Sequence, residues 1–304
     1  MNTDFSPKDT RAGNGAFHRW KPAAWLRVSG PDAFTFLQGQ FTNDLRAIAA
    51  GPVYGLWLNQ KARVLADSFV FRTAEDEFWV GSYFAAARTI SERLEAYIIA
   101  DDVTVEDRTA SWVGLTVSGS EVGENVSRTL RERRFEFAGR RGIDQAREWF
   151  LPIEEAERVN ERLGGAVELN AAEMERRRVG ARIPAVPTDI GPGELPNEGG
   201  LEAVAISYTK GCYLGQEVIA RLRSMGQVRR RLFLVRGTDA MPARPAPLFQ
   251  GERQLGELRS AIANENGEGF RGLALLTLLN LQPEVPLVFA PGAAAENGCV
   301  IDPT

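Results

Sequence analysis

Lys210-Gly211-Cys212-Tyr213-Leu214-Gly215-Gln216-Glu217 sets a thiol between two glycines, immediately ahead of an amphipathic run. From Gln216 to Met225 the apolar residues Val218, Ile219, Leu222 and Met225 recur at helical spacing, and Gly226 closes the run. Upstream, Ala205-Ile206-Ser207-Tyr208 reads as a strand and Lys210-Gly211 as a turn, so Cys212 is expected in a strand-to-helix connection. Lys210, Arg221 and the start of the helix would surround it with positive potential, a setting in which a thiolate can be stabilised. The glycines permit close approach of a ligand or another backbone. The competing reading is a buried structural thiol, since free cysteine is among the most buried residue types.

Working outward, the first two-thirds of the chain mixes strands and helices without strict alternation. Strands are expected at Ala24–Val28, Val53–Leu58, Val64–Phe71, Phe78–Gly81, Val103–Val105 and Trp112–Val117. Helices are expected after Pro31-Asp32 and over Ala85–Ile99, Glu124–Arg133 and Glu154–Leu163. That pattern is α+β with a mostly antiparallel sheet. After Arg236, prolines and glycines punctuate short apolar runs, as in a small β-barrel. The expected organisation is a tail over 1–15, a main unit over 16–236 in two subdomains that divide near 105–120, and a barrel over 237–304.

Composition narrows the function. The 304 residues carry a formal net charge of −4. An acidic chain with scattered arginine triplets is a poor candidate for direct RNA binding, which draws its affinity from phosphate neutralisation. Two cysteines exclude a disulfide framework and fit a reducing compartment. The apolar stretch Leu273–Leu281 is too short to span a bilayer, and the polar N-terminus lacks the apolar core of a signal peptide. The expected location is the cytoplasm, with no membrane association. His18 is the sole histidine, expected on the surface, so no histidine triad or metal cluster is available. An iron–sulfur cluster generally takes four protein ligands, and Cys212 and Cys299 cannot supply them. A cluster bridged between two molecules, or a transient contact with a client, stays open.

The Cys212 block, continuing through Val218-Ile219-Ala220-Arg221, resembles the signature of YgfZ-type folate-binding proteins, relatives of the glycine-cleavage T-protein. Trp25–Ala33 with Phe36–Asp44 is similar to that family's opening block. Leu58–Asp67 resembles its second block, with Ala62 where glycine is common. Ile183-Pro184 and Leu195-Pro196-Asn197-Glu198 resemble the loop before the Cys motif. The resemblance implies a GcvT/YgfZ-like ring of two mixed α+β subdomains around a folate channel, closed by the C-terminal β-barrel. It implies tetrahydrofolate, or another reduced folate, as ligand. It also implies a role in assembly or repair of iron–sulfur clusters, including those of tRNA-thiolating enzymes, with iron–sulfur client or assembly proteins as partners.

By the same resemblance Trp25 stacks on the folate, Arg178 meets its anionic tail and Glu198 accepts from the pterin, with Gln216 and Glu217 beside the site. Cys212, Lys210 and Asp67 are the candidate catalytic groups. No metal ligand set is expected. The T-protein has two adjacent aspartates where this chain reads Ala66-Asp67, and the missing first carboxylate argues against classical aminomethyl transfer. Gly180-Ala181-Arg182 also departs from the family pattern, with a cation where a carboxylate is common. The alternative function is a folate-dependent aminomethyl or one-carbon transferase that works through Asp67.

Overall fold

The computed structural model describes residues 15–130, 135–143, 145–294, 296 and 298–303. The expected tail, save Gly15, and residues 131–133 of the expected third helix lie outside them.

The chain opens with β1 (Ala16–Trp20) and β2 (Ala24–Ser29), which enter different sheets. After β2 come α1 (Ala33–Gln40), β3 (Val53–Leu58), β4 (Val64–Ala74), β5 (Glu77–Ser82), α2 (Ala87–Glu95) and β6 (Thr104–Asp107). Their strands form an antiparallel sheet of order β3-β4-β5-β2-β6. One face buries Leu26, Val28, Val70 and Phe78 beneath Leu37 of α1 and Ile90 and Leu94 of α2.

The second subdomain adds β7 (Trp112–Ser118), α3 (Ser120–Thr129), β8 (Glu136–Ala138), β9 (Arg147–Pro152), α4 (Ile153–Asn160) and β10 (Val167–Glu168). With β1 they make a sheet of order β10-β1-β7-β9-β8, in which β1 and β10 run parallel. Val122, Val126 and Val159 of its helices cover Leu115, Trp149 and Leu151.

Each sheet has helices on one face only, so the other faces must be buried elsewhere. They are buried on each other. Trp25, Phe69, Phe71 and Tyr83 from the first sheet and its edge meet Trp20, Phe137 and Phe150 from the second. Two glycines let rings lie flat on the strands. A Cβ on Gly81 would stand 2.5 Å from Phe150, and one on Gly114 would stand 2.1 Å from Trp20.

From here α5 (Ala171–Gly180) leads into a long loop, then the short α6 (Glu202–Ala205) and α7 (Gln216–Met225). The last unit comprises β11 (Arg230–Gly237), β12 (Ala246–Gln250), β13 (Arg253–Ala263), β14 (Phe270–Thr277) and β15 (Cys299–Ile301), in the order β12-β13-β14-β11-β15. Val288 bridges to Phe249 on β12 and Leu287 to Cys299 on β15, so this short segment ties the two edges and curls the sheet toward a barrel. Val179 of α5 packs on Leu234 and Leu273 of the barrel.

Three expectations are corrected. The barrel starts with β11 at Arg230, not at 237, because its first strand is an ordinary apolar run and the proline-rich composition begins only after it. Residues 205–208 are not a strand: Ala205 ends α6, and the following residues are held as a loop by side chains and carbonyls of the α1–β3 connection. His18 is buried, because β1 lies inside its sheet between β10 and β7, and its Nδ1 lies 2.7 Å from the Leu169 carbonyl. Burial pushes its pKa down.

Candidate functional site

Three segments that are distant in sequence meet around Cys212. Lys210 is buried, and its Nζ donates to three carbonyls, Gln38 at 2.6 Å, Phe41 at 2.6 Å and Asn43 at 3.0 Å. These are the C-terminal end of α1 and the turn beyond it, where helix carbonyls lack intrahelical partners and favour a cation. The Leu214 N–H donates to Gly39 O, and the Ser207 N–H to Thr42 O. Thr42 Oγ1 donates to Ala205 O and accepts from the Leu56 N–H, and so spans the loop and β3. On the other side, Gly215 takes φ +87° with its Cα against the β3–β4 turn, where a Cβ would lie 2.9 Å from Asn59 O. Ala62 in that turn holds φ +56° at the position where the family commonly has glycine, a left-handed conformation that costs a non-glycine residue about 1 kcal/mol.

These anchors fix Lys210, Tyr213 and Gly215 and leave the residues between them outside. Cys212 is exposed, as is Gly211. The Lys210 ammonium faces inward to the carbonyls, so Lys210 positions the loop. Arg221 pairs with Glu217 at 3.0 Å on the exposed face of α7. Gln216 sits half-buried at the first position of the helix. Cys299 is buried in the barrel, and burial pushes its thiol up to about 12.

The second constellation lies between the two sheets. Asp67 points into the packed layer between them, where Tyr54 Oη donates to Oδ2 at 2.9 Å and Ser82 Oγ to Oδ1 at 3.0 Å. Burial raises its pKa to about 6. Ala66 points the opposite way, into the core under the helices, because alternate residues of β4 face opposite sides. A carboxylate at position 66 would not face the layer between the sheets, so its loss does not strip that layer of acid.

Glu148 on β9 was not singled out from sequence. It is 1% exposed, accepts from Tyr83 Oη at 2.8 Å, and its Oε1 has no hydrogen-bond partner. Burial lifts its pKa to about 7, against the opposing field of Arg141. The turn after β8 lays Arg140 over the Tyr54 ring and Arg141 over those of Trp20 and Tyr83. A lone acid between arginines and aromatics has no periodicity to betray it. Only the pairing of β9 with β7 brings it opposite the first sheet.

The remaining expected residues lie apart from any shared pocket. Trp25 is fully buried and ringed by Phe71, Trp79, Trp112, Phe135 and Phe150 at centroid distances of 4.0 to 5.5 Å. Phe150 stacks on it at 4.0 Å and 16°. A pterin therefore does not fit on Trp25 without displacing Phe150. Arg178 spends its donors on Glu175, Asp189, Ser260 and the Ile183 carbonyl, tying α5 to the barrel. Glu198 accepts from Arg230 twice, at 2.9 and 3.0 Å, and from the Leu195 N–H. The orphaned acceptor of the layer is instead Glu148 Oε1, a group of the kind a nitrogen-rich heterocycle could satisfy, in an aromatic setting. Among the described residues no group of three His, Cys, Asp or Glu side chains is placed to hold a metal, and no helix is long and apolar enough to cross a membrane.

Two mixed α+β subdomains packed face to face, with a curled β-sheet closing one end and a cysteine loop held by two turns of the first subdomain, define an aminomethyltransferase-like fold. The glycine-cleavage aminomethyltransferase T of Bartonella henselae superposes with a TM-score of 0.76 over 95% of this chain and 85% of its own, at 18% identity. The GCVT N-terminal domain family matches residues 20–146, and the CAF17 C-terminal β-barrel family matches residues 229–296. The human mitochondrial iron–sulfur cluster assembly factor IBA57 is 31% identical over 278 residues, 83% of this chain and 74% of its own. The tRNA-modifying protein YgfZ of Edwardsiella ictaluri is 28% identical, over 78% of this chain and 77% of its own. The chain belongs to the IBA57/YgfZ family.

The raised Glu148 carboxyl carries a pH signature. The folded state holds its proton up to about pH 7, whereas an unfolded glutamate releases it near 4.5. Stability from this group is complete below 4.5 and is lost as pH rises through 7. The melting temperature of Glu148→Gln minus that of wild type should therefore climb by several degrees from pH 4.5 to 7.5 and then level off. A difference that stays constant with pH would contradict the assignment.

Proposed function

We propose that this protein is an accessory factor for the assembly or repair of iron–sulfur proteins, tRNA-thiolating enzymes among its clients, and that Cys212 is its working thiol. The observation that carries the reading is the exposure of Cys212 on a loop anchored on both flanks. One thiol supplies one ligand, so a cluster held at Cys212 takes its other ligands from the assembly or client protein. Gln216 and Glu217 flank the thiol at the start of α7 and offer polar contacts to that partner. Action in the cytoplasm completes the reading. In cells lacking the protein, Cys212→Ala should restore less than about a tenth of the iron–sulfur enzyme activity that wild type restores, a loss of more than about 1.4 kcal/mol in effective coupling. Full restoration would sink the role of the thiol.

A reduced folate is the ligand we propose, in a chamber that would open between the two sheets around Glu148 and Asp67. Glu148 Oε1 would accept from its heterocycle, Tyr54 and Tyr83 would stand beside it, and Trp25 would back the aromatic wall. Arg178 and Glu198 would act only by bracing α5 and the loop before α6 against the barrel. When bound, a folate supplies one-carbon acceptor chemistry. The orientation of Asp67 into the same chamber favours a second reading, in which its buried carboxyl serves as the acid or base of a one-carbon transfer. A single series separates these readings. 5-Formyltetrahydrofolate should quench tryptophan emission saturably, and Glu148→Leu should weaken binding about tenfold, the upper worth of one hydrogen bond. Turnover of an aminomethyl donor that disappears in Asp67→Asn would establish the transferase reading, and absence of quenching would remove folate from the account.

A further inference from the structure

A cavity of about 300 Å3 opens on the flank of α7, next to the Cys212 loop and separate from the layer between the sheets. One stripe of the helix, Gln216, Ile219 and Arg223, forms one wall, and Tyr208 and Tyr213 form the other. Residues at this spacing share one helix face. The floor is apolar, with Ile219 at 1% and Tyr213 at 6% exposure. The rim is polar and cationic. Arg223 lies 4.1 Å from the centre of the Tyr208 ring and is exposed, and no carboxylate among the described residues pairs with it. Arg221 on the neighbouring face already has Glu217.

The same unpaired positive charge continues past the end of α7. Arg229 and Arg231 are exposed and make no ion pair among the described residues. Beside them Leu278 and Leu279 are 39% and 65% exposed, with the Leu278 N–H donating to Arg229 O. On a chain of net charge −4 this is a local excess of cation around exposed apolar atoms. The Glu202 carboxylate also acts on Tyr208 but ion-pairs with none of these arginines among the described residues, so the arginines beside this pocket stay complementary to acids carried by something else.

We infer that this face docks an acidic segment of a partner protein, which inserts one apolar side chain into the α7 cavity and sets its carboxylates against Arg223 and Arg229. Its position beside Cys212 would hold that partner within reach of the thiol, so the inference deepens the accessory-factor reading and rests on it. A nucleic acid fits less well. It needs a track of phosphate contacts, whereas here one arginine lines a pocket with an apolar floor and the others lie beyond the end of α7 on an acidic protein.

The test uses the full chain and a fluorescein-labelled nonapeptide of glutamates with one central leucine, read by anisotropy at low and moderate salt. Saturable binding is expected, weakened about tenfold by Arg223→Glu and further by salt. Ala220→Trp, at an exposed position lining the cavity, should block it, and a peptide with central serine should bind at least about fivefold more weakly. Melting temperatures of the variants verify that they fold. Cys212→Ala should bind as wild type does, so failure of the thiol's role and failure of this surface give different results. The inference is overturned by absence of saturable binding, by indifference to Arg223→Glu or Ala220→Trp, or by total tRNA binding more tightly than the peptide through the same arginines.

Discussion

The Lys210 ammonium, buried against the carbonyls of Gln38, Phe41 and Asn43, is the contact on which the functional end of this molecule depends. A flexible four-carbon stem carrying a charge is a costly thing to bury. Desolvation accordingly lowers its pKa to about 8, and it is tolerated because three acceptors converge on it. Removing it would leave helix-end carbonyls unsatisfied and would free the segment that carries Cys212. The same contact closes the chain topologically, since it joins the first helix of the first subdomain to the segment just ahead of the barrel.

The inner faces of the two sheets impose the second constraint. Strands with helices on one side only bring two large aromatic surfaces together, and glycines at 81 and 114 let the rings sink into the sheets. Within this dry layer two carboxyl groups, Asp67 and Glu148, keep pKa values of about 6 and about 7. Tyrosines satisfy part of their hydrogen-bonding capacity, and arginines at 140 and 141 offset part of the desolvation. Two separately buried acids in one such layer are unusual in a purely structural core. The β3–β4 hairpin links this layer to the cysteine loop, because Tyr54 and Asp67 sit on its strands and its tip touches Gly215.

Much of this was legible in the sequence. The α+β class, the barrel at the C-terminus and α7 over Gln216–Met225 follow from periodicity and from glycine placement. The motif blocks at 36–44, 58–67 and 210–217 stood out individually, but only the fold brings them into one contact. Lys210 read as a charge beside the thiol because neighbours in sequence were taken as neighbours in space; its stem instead reaches across to α1. Ala66 read as a lost catalytic acid because strand parity, which decides the face a side chain occupies, was not applied to β4. Trp25 read as an open platform although five rings enclose it, and Glu148 escaped notice because a single acid in an apolar strand gives no pattern. The loop over 205–208 looked like a strand because short apolar runs do not distinguish a strand from a buried turn.

Amide hydrogen exchange in wild type and Lys210→Met is the most direct test of whether this ammonium couples α1 to the cysteine loop. The amides of Ser207 and Leu214 donate across that contact, to Thr42 O and Gly39 O, and the Phe41 amide closes α1 on Leu37 O. The account predicts that protection of residues 38–43 and of 207–216 falls together by at least about tenfold, the worth of roughly 1.4 kcal/mol in local stability, while amides of the barrel strands keep theirs. Unchanged protection in both segments, or a loss confined to 207–216 with α1 untouched, would contradict it.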